Sequence, residues 1–219
     1  MPTPMKVVSV NVGLPREVIS RGEAVLTSIF KEPVAGRVRV ETLNLVGDRQ
    51  SDLTVHGGAE KAVYVYPSEH YAFWREELPG VDLPWGSFGE NLTVEGLAED
   101  RVRIGDEIAI GSAVFVVTQP RMPCYKLGIR FGRMDMVKRF LKSGRSGFYL
   151  SVSSEGELGA GDLITLTPSQ TPSITVAEFV SIYATNGRDK ELLRRATLVP
   201  AIPEGWRDYL HERLREDAS

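Results

Sequence analysis

This 219-residue sequence predicts a mainly β fold, a sandwich or barrel with peripheral helices, followed by a small C-terminal three-helix subdomain. Short β-branched runs separated by glycine turns fill most of residues 1–167, a spacing that belongs to all-β domains. A weak internal echo ties them together. Val102-Arg-Ile-Gly-Asp106-Glu-Ile-Ala-Ile110 resembles Leu158-Gly-Ala-Gly-Asp162-Leu-Ile-Thr-Leu166, each a Gly-Asp turn leading into an alternating strand. After the polar stretch Pro168-Ser-Gln-Thr-Pro172 the period of the apolar residues becomes helical.

In chain order, the strand-like runs are Lys6–Val10, Arg37–Leu45, Ala62–Tyr66, Asn91–Glu95, Arg101–Ile110, Ala113–Thr118, Gly147–Val152 and Asp162–Thr167. Two helices interrupt them. Pro67-Ser68-Glu69 suits a first turn, and Tyr71, Trp74 and Leu78 form an apolar stripe that stops before Pro79-Gly80. Met134–Lys142 is the other, closed by Ser143-Gly144. The tail reads as helices over Val176–Tyr183, Lys190–Ala196 and Glu204–Leu214. This divides the chain into a β unit over 1–168 and a helical unit over 173–219. Short helices are marginal alone, so the tail is expected to dock on the main unit, on a second subunit as in a homodimer, or on a partner.

Composition narrows the function. A chain with 42% hydrophobic and 25% charged residues can bury a substantial core. No apolar run approaches the ~20 residues of a membrane span, and MPTPMKVVSVNVG has no basic leader, so a cytoplasmic protein with no membrane contact is expected. A single cysteine excludes an internal disulfide framework, and His56, His70 and His211 are too scattered to suggest a zinc triad.

That cysteine sits in Gln119-Pro120-Arg121-Met122-Pro123-Cys124-Tyr125-Lys126. The prolines restrict the backbone around the thiol, and Arg121 and Lys126 place positive charge beside it, which favours the thiolate. Cys124 is therefore a candidate nucleophile or soft-metal ligand; the alternative is a small packed hydrophobe. Residues 121–145 carry eight lysines or arginines against one acid, Asp135, in a chain of net charge −3. Such an island suits an anionic ligand, although Arg133, Lys138, Arg139 and Lys142 also fit the solvated face of an amphipathic helix.

Three loops join glycine to polar groups. In Val46–Asp52 and Val55–Tyr64, the pair Gly57-Gly58 lets a backbone approach a ligand, with His56 and Lys61 beside it. In Ser87–Val94, Asn91 can donate to and accept from a heterocycle edge, or tie down its own turn. In Gly144–Tyr149, Arg145 could grip a phosphate, or cap the preceding helix.

The ordered series GDRQSDLTVHGGAEKAVYVYP, FGENLTVEGL, VRIGDEI, QPRMPCYKL and GRSGFYLSV resembles the MOSC domain, and ITVAEFVSIY with RDKELLRRATLVPAIPEGWRDYL resembles the three-helix extension of its YiiM subgroup. The resemblance implies a closed or nearly closed β-barrel, a molybdenum–pterin cofactor, and Cys124 as protein ligand to the metal. Arg121, Lys126, His56, Gly57, Gly58, Lys61, Asn91 and Arg145 are then the candidate cofactor-binding residues. It further implies reduction of N-hydroxylated purines and related base analogues, with electrons from an external flavoprotein or ferredoxin-like protein. No Schiff-base lysine motif accompanies it, so cysteine-desulfurase chemistry is not expected.

The alternative is a non-catalytic cofactor carrier, or a sulfur-handling module that uses a Cys124 persulfide. A nucleic-acid-binding barrel ranks below both, because Tyr125 and Phe131 are the nearby stacking candidates in the basic segment; no nucleic-acid partner is expected.

Overall fold

The computed structural model describes residues 4–51 and 57–215. Its strands are β1 (Lys6–Val12), β2 (Arg16–Ser20), β3 (Glu23–Thr27), β4 (Glu32–Pro33), β5 (Arg37–Glu41), β6 (Asn44–Leu45), β7 (Val63–Pro67), β8 (Leu92–Glu95), β9 (Glu107–Ile110), β10 (Ala113–Pro120), β11 (Phe148–Ser154), β12 (Gly156–Gly159) and β13 (Ile164–Thr167). Its helices are α1 (His70–Glu77), α2 (Tyr125–Phe131), α3 (Met136–Ser143), α4 (Val176–Ala184), α5 (Lys190–Thr197) and α6 (Glu204–Arg215).

Eight strands form the main sheet, in the order β13-β9-β10-β11-β7-β8-β1-β4. Its pairs are antiparallel except β7 with β8, which α1 connects, since parallel neighbours need a crossover. The sheet also closes on itself. Lys6 of β1 bridges Leu163 beside β13. Val7 N–H donates to the Asp162 carbonyl at 2.9 Å, Gly161 N–H to Val7 at 2.8 Å and Ile164 N–H to Met5 at 2.9 Å. This seam joins β13 to the start of β1 and curls the sheet into a barrel, with β4 left at its edge.

Alternation along the strands sets what the barrel holds. Ile108 and Ile110 of β9, Phe115 and Val117 of β10, and Val63 and Val65 of β7 join one buried aliphatic cluster. On β7 the other face is buried too, because Tyr64 and Tyr66 enter a second, aromatic cluster with Tyr71, Trp74, Phe88 and Phe140 under α1 and α3. Trp74 and Phe140 stack with centroids 5.8 Å apart, and the Trp74 indole donates to the Tyr66 hydroxyl at 2.7 Å.

The tail docks on its own barrel. Thr175 and Glu178 form a reciprocal capping box at the start of α4, Val176 N–H donates to Val102, and Ile104 N–H donates to Ile174. Phe179, Ile182, Leu193, Ile202 and Leu210 bury against Ile104 of the β unit. Of the three docking expectations, the structure provides the first.

Several runs differ from expectation. Arg37–Leu45 is a hairpin, β5 with β6, rather than one strand. Arg101–Asp106 is a turn ahead of β9, held because the Asp106 carboxylate accepts from Arg103 N–H at 2.8 Å and Ser169 N–H at 2.9 Å. Asp162, the echo residue, likewise accepts from Gly159 N–H at 3.0 Å. The β2–β3 hairpin, β12 and α2 were not anticipated. Arg21 and Gly22 both take positive φ at the hairpin turn, 54° and 84°, which matches a tight two-residue connection.

Candidate active site

β10 ends at Pro120, and residues 121–124 run across one end of the barrel before α2 begins. Proline at 120 and 123 cannot donate to a ladder, so the segment leaves the sheet. Cys124 stays extended at φ −119° and ψ 173° just ahead of α2. Its side chain is half-buried and belongs to none of the apolar clusters.

Cys124 faces a cavity enclosing about 640 Å³ of empty space, solvent at its mouth included. Among the described residues, four cationic side chains line it, Lys31, Lys61, Arg121 and Lys126, with Asp48 as the acid among them. Arg121 is 5% exposed. Its guanidinium lies against the rings of Tyr64 and Phe140, at 5.4 and 5.0 Å from their centroids, and its charge acts on the Tyr149 hydroxyl. Nη1 of Arg121 is buried with no hydrogen-bond partner, and so is Oγ of Ser28, which also lines the cavity. Buried polar groups are ordinarily satisfied. Among the described residues, both atoms belong to side chains that line the cavity.

A polar lattice positions the rest. Asp48 Oδ1 accepts from Lys31 Nζ at 2.5 Å and Gly13 N–H at 2.8 Å, while Oδ2 accepts from Asn91 Nδ2 at 2.8 Å. Asn91 in turn accepts from Tyr64 N–H at 3.0 Å. Lys126 Nζ donates to Ser51 Oγ at 3.1 Å, and Gln50 Nε2 donates to the Lys61 carbonyl at 2.8 Å, so the 48–51 loop is tied to both lysines' segments. Burial pulls the Lys31 ammonium below its ordinary value, against the pull of Asp48. Burial raises the Tyr149 hydroxyl, with Arg121 opposing, so it stays protonated at neutral pH.

Glutamates lie behind the wall. Glu90 is fully buried and accepts from Tyr71, Thr93, Gly86 N–H and Phe88 N–H, shaping the loop that presents Gly89 and Asn91. Glu99 accepts from His70 Nε2 at 2.8 Å and Gly147 N–H at 2.7 Å. Gly147 has φ +62°, and a Cβ there would stand 2.3 Å from the Val65 carbonyl, so only glycine fits.

Of the expected residues, Cys124, Arg121, Lys126, Lys61 and Asn91 converge on the cavity. Gly57 and Gly58 are described but do not line it, and His56 lies outside the described residues. Arg145 is not among the residues lining the cavity. Its guanidinium sits 3.8 Å from the Phe73 ring centroid and donates to the Ser143 carbonyl at 3.1 Å, off the cavity, where it caps α3. The Asn91 amide serves its neighbours as a brace. Arg139 faces Glu77 and Asp135 elsewhere. Lys31, Ser28 and Tyr149 were missed; Lys31 reaches Asp48 from 17 residues away, a contact with no local pattern.

Among the described residues no group of three His, Cys, Asp or Glu could hold a metal, and no helix is long and apolar enough to cross a membrane.

A MOSC domain model matches residues 52–165, and a YiiM-like, 3-alpha helix domain model matches residues 174–217. The chain is 39% identical to the YflK protein of Bacillus subtilis, covering 92% of this chain and 90% of that one, and 33% identical to protein YiiM of Escherichia coli, covering 85% and 84%. A protein named reductase from Gibberella moniliformis is 32% identical over 89% of this chain, which spans 35% of that protein. The crystal structure of YiiM from Geobacillus stearothermophilus superposes with a TM-score of 0.80 at 34% identity, covering 96% of this chain and all of that one.

Proposed function

The chain belongs to the MOSC domain family, with a YiiM-like three-helix domain behind the barrel, and on that premise we propose that it is a molybdenum-cofactor-dependent oxidoreductase. Its substrates are N-hydroxylated purines and related hydroxylamino compounds, and Cys124 is the protein's ligand to the metal. The observation that carries this reading is a half-buried thiol on a cationic cavity whose wall holds an unpartnered Arg121 Nη1 and Ser28 Oγ.

The residues fit the group. A thiolate suits molybdenum by softness, and a pterin phosphate suits arginine and lysine donors. Arg121 offers its guanidinium charge to an oxyanion, Lys126 and Lys61 add charge from α2 and the Ala59–Lys61 turn, and Lys31 adds charge balanced by Asp48. When bound, the cofactor would supply the two-electron redox chemistry that removes the hydroxylamine oxygen. Overall, R–NHOH takes up two electrons and two protons; the N–O bond breaks, and R–NH2 and water form.

The chain's own groups bind, orient and hold protons. Tyr149, whose hydroxyl burial keeps protonated, stands beside Cys124 on the cavity wall as a donor. Electrons come from an external flavoprotein or ferredoxin-like donor.

Cys124→Ser tests the reading, since it swaps a soft, ionisable sulfur for a hard hydroxyl of similar size. Protein from a cofactor-making host should keep its thermal midpoint yet lose bound molybdenum and N-hydroxylated-base reduction together. Retained metal and turnover would refute the assignment. Metal retained with sulfur transfer lost would move the function to the sulfur-handling alternative.

A further inference from the structure

A second opening lies on the other side of Cys124. It encloses about 1050 Å³ of empty space, solvent at its mouth included, between the barrel and the helical tail. Cys124, Met122, Lys61 and Tyr149 line both spaces, so the two share a wall with the thiol in it. Their chemistry differs. The first space is ringed by cations, whereas the second places Trp206 and Tyr209 of α6 opposite Met122, Pro123 and Tyr149, with Glu60 and Lys61 as its charged pair.

Trp206 is held as a fixed platform. Its indole donates to Gln119 Oε1 at 2.7 Å, and its ring meets Phe179 edge-on with centroids 5.0 Å apart. Tyr209 packs against it at 5.6 Å. Rings pinned in this way offer stacking area at little cost in side-chain entropy. The volume it offers a ligand is about 490 Å³, inside the range of about 300–1,000 Å³ of small-molecule pockets and more than an acyclic hydroxylamine needs. The wall carries one acid and one base, which suits a neutral ligand with polar edges rather than an anion.

We infer that the barrel–tail groove is the substrate site, where a flat heteroaromatic base stacks on Trp206 and meets the perpendicular Tyr209 ring with its edge, so that its hydroxylamino group faces the wall carrying Cys124. This rests on the reductase reading for the reaction, but the binding itself does not depend on it. The helical tail then selects the substrate, while the cationic cavity holds the cofactor.

Gly205 gives a test that spares the fold. It lies one helical turn before Tyr209 on α6 and lines the groove, and a Cβ there would meet nothing within 4 Å. Gly205→Ala is the control, and Gly205→Phe is the obstruction. Two measurements on the molybdenum-loaded protein are compared: steady-state kinetics with 6-hydroxylaminopurine and with N-methylhydroxylamine, and equilibrium dialysis of 6-hydroxylaminopurine.

For Gly205→Phe, KM and Kd for the purine are expected to rise by about tenfold or more, while kcat/KM for N-methylhydroxylamine stays within about twofold. Molybdenum content and thermal midpoint should match those of Gly205→Ala. Unchanged purine KM and Kd in Gly205→Phe would overturn the groove assignment, as would an equal loss for both substrates. If the wild type reduces neither compound yet Gly205→Phe still loses purine binding, the groove stands and the reductase reading falls.

Discussion

Asp48→Ala removes the acid from the centre of the cavity wall. Its side chain is 2% exposed, and the Lys31 side chain it faces is 8% exposed. Deleting one partner of a buried pair leaves the other charge unpaired, at a cost of about 3–5 kcal/mol. Gly13 N–H and Asn91 Nδ2 also lose an acceptor. One effect limits the loss. Burial already draws the Lys31 ammonium below its ordinary value and Asp48 resists that draw, so without Asp48 the amine can shed its proton and become neutral. The low end, about 3 kcal/mol, is therefore expected. With a urea slope of about 2–3 kcal/mol/M, the unfolding midpoint of cofactor-free protein should fall by about 1–1.5 M. Adding Lys31→Met removes the stranded charge, and the double variant should recover about half of the loss or more. A single variant within about 0.5 kcal/mol of wild type, or a double variant as poor as the two single losses added, would refute the reasoning.

Arg121→Ala should release the cofactor during gel filtration, with the loss read as molybdenum and pterin per chain. Arg139→Ala should not, because Arg139 pairs with Glu77 and Asp135 away from the cavity; equal losses would point to a diffuse charged surface. A third expectation concerns acid. Burial alone would raise the Glu99 carboxyl, but the bond and charge of His70 and the Gly147 N–H outweigh it and hold it below 4.5. Its folded-state value is depressed, so its contribution is present above 4.5 and is lost as pH falls through the folded value. Urea midpoints taken down through acid pH should show wild type losing stability that Glu99→Gln, with no charge to lose, does not. An identical acid limb in the two proteins would exclude Glu99 as its source.

Much of the barrel was legible because its signals are local. Val63-Tyr64-Val65-Tyr66 announces a strand by residue type, and Thr175 with Glu178 announces a helix start. The β2–β3 hairpin escaped because Ile19 and Leu26 are 71% and 52% exposed, so no apolar face marks it. α2 was hidden by the prolines before it and by Gly128, whose Cβ would stand 2.8 Å from Met134 Sδ, a close approach visible only once folded. The site divides in the same way. Arg121, Cys124 and Lys126 are neighbours in the chain and could be read together. Lys31 and the Trp206 wall meet them only through tertiary contacts, and Arg145 looked like a loop cation until Phe73 claimed it.

The four cations of the cavity stand at positions 31, 61, 121 and 126. In an unfolded chain they are dispersed, and no anion meets them as a group. Folding brings them together, and their mutual repulsion is a cost that the cofactor-free barrel carries alone. An anion bound among them relieves that repulsion and binds the native state without binding the unfolded one, so loading raises stability by mass action, by about 2.7 kcal/mol at a hundredfold excess over Kd. If the proposed function holds, cofactor supply and resistance to unfolding are linked quantities, and a cell short of the cofactor would hold a less durable chain as well as an inactive one.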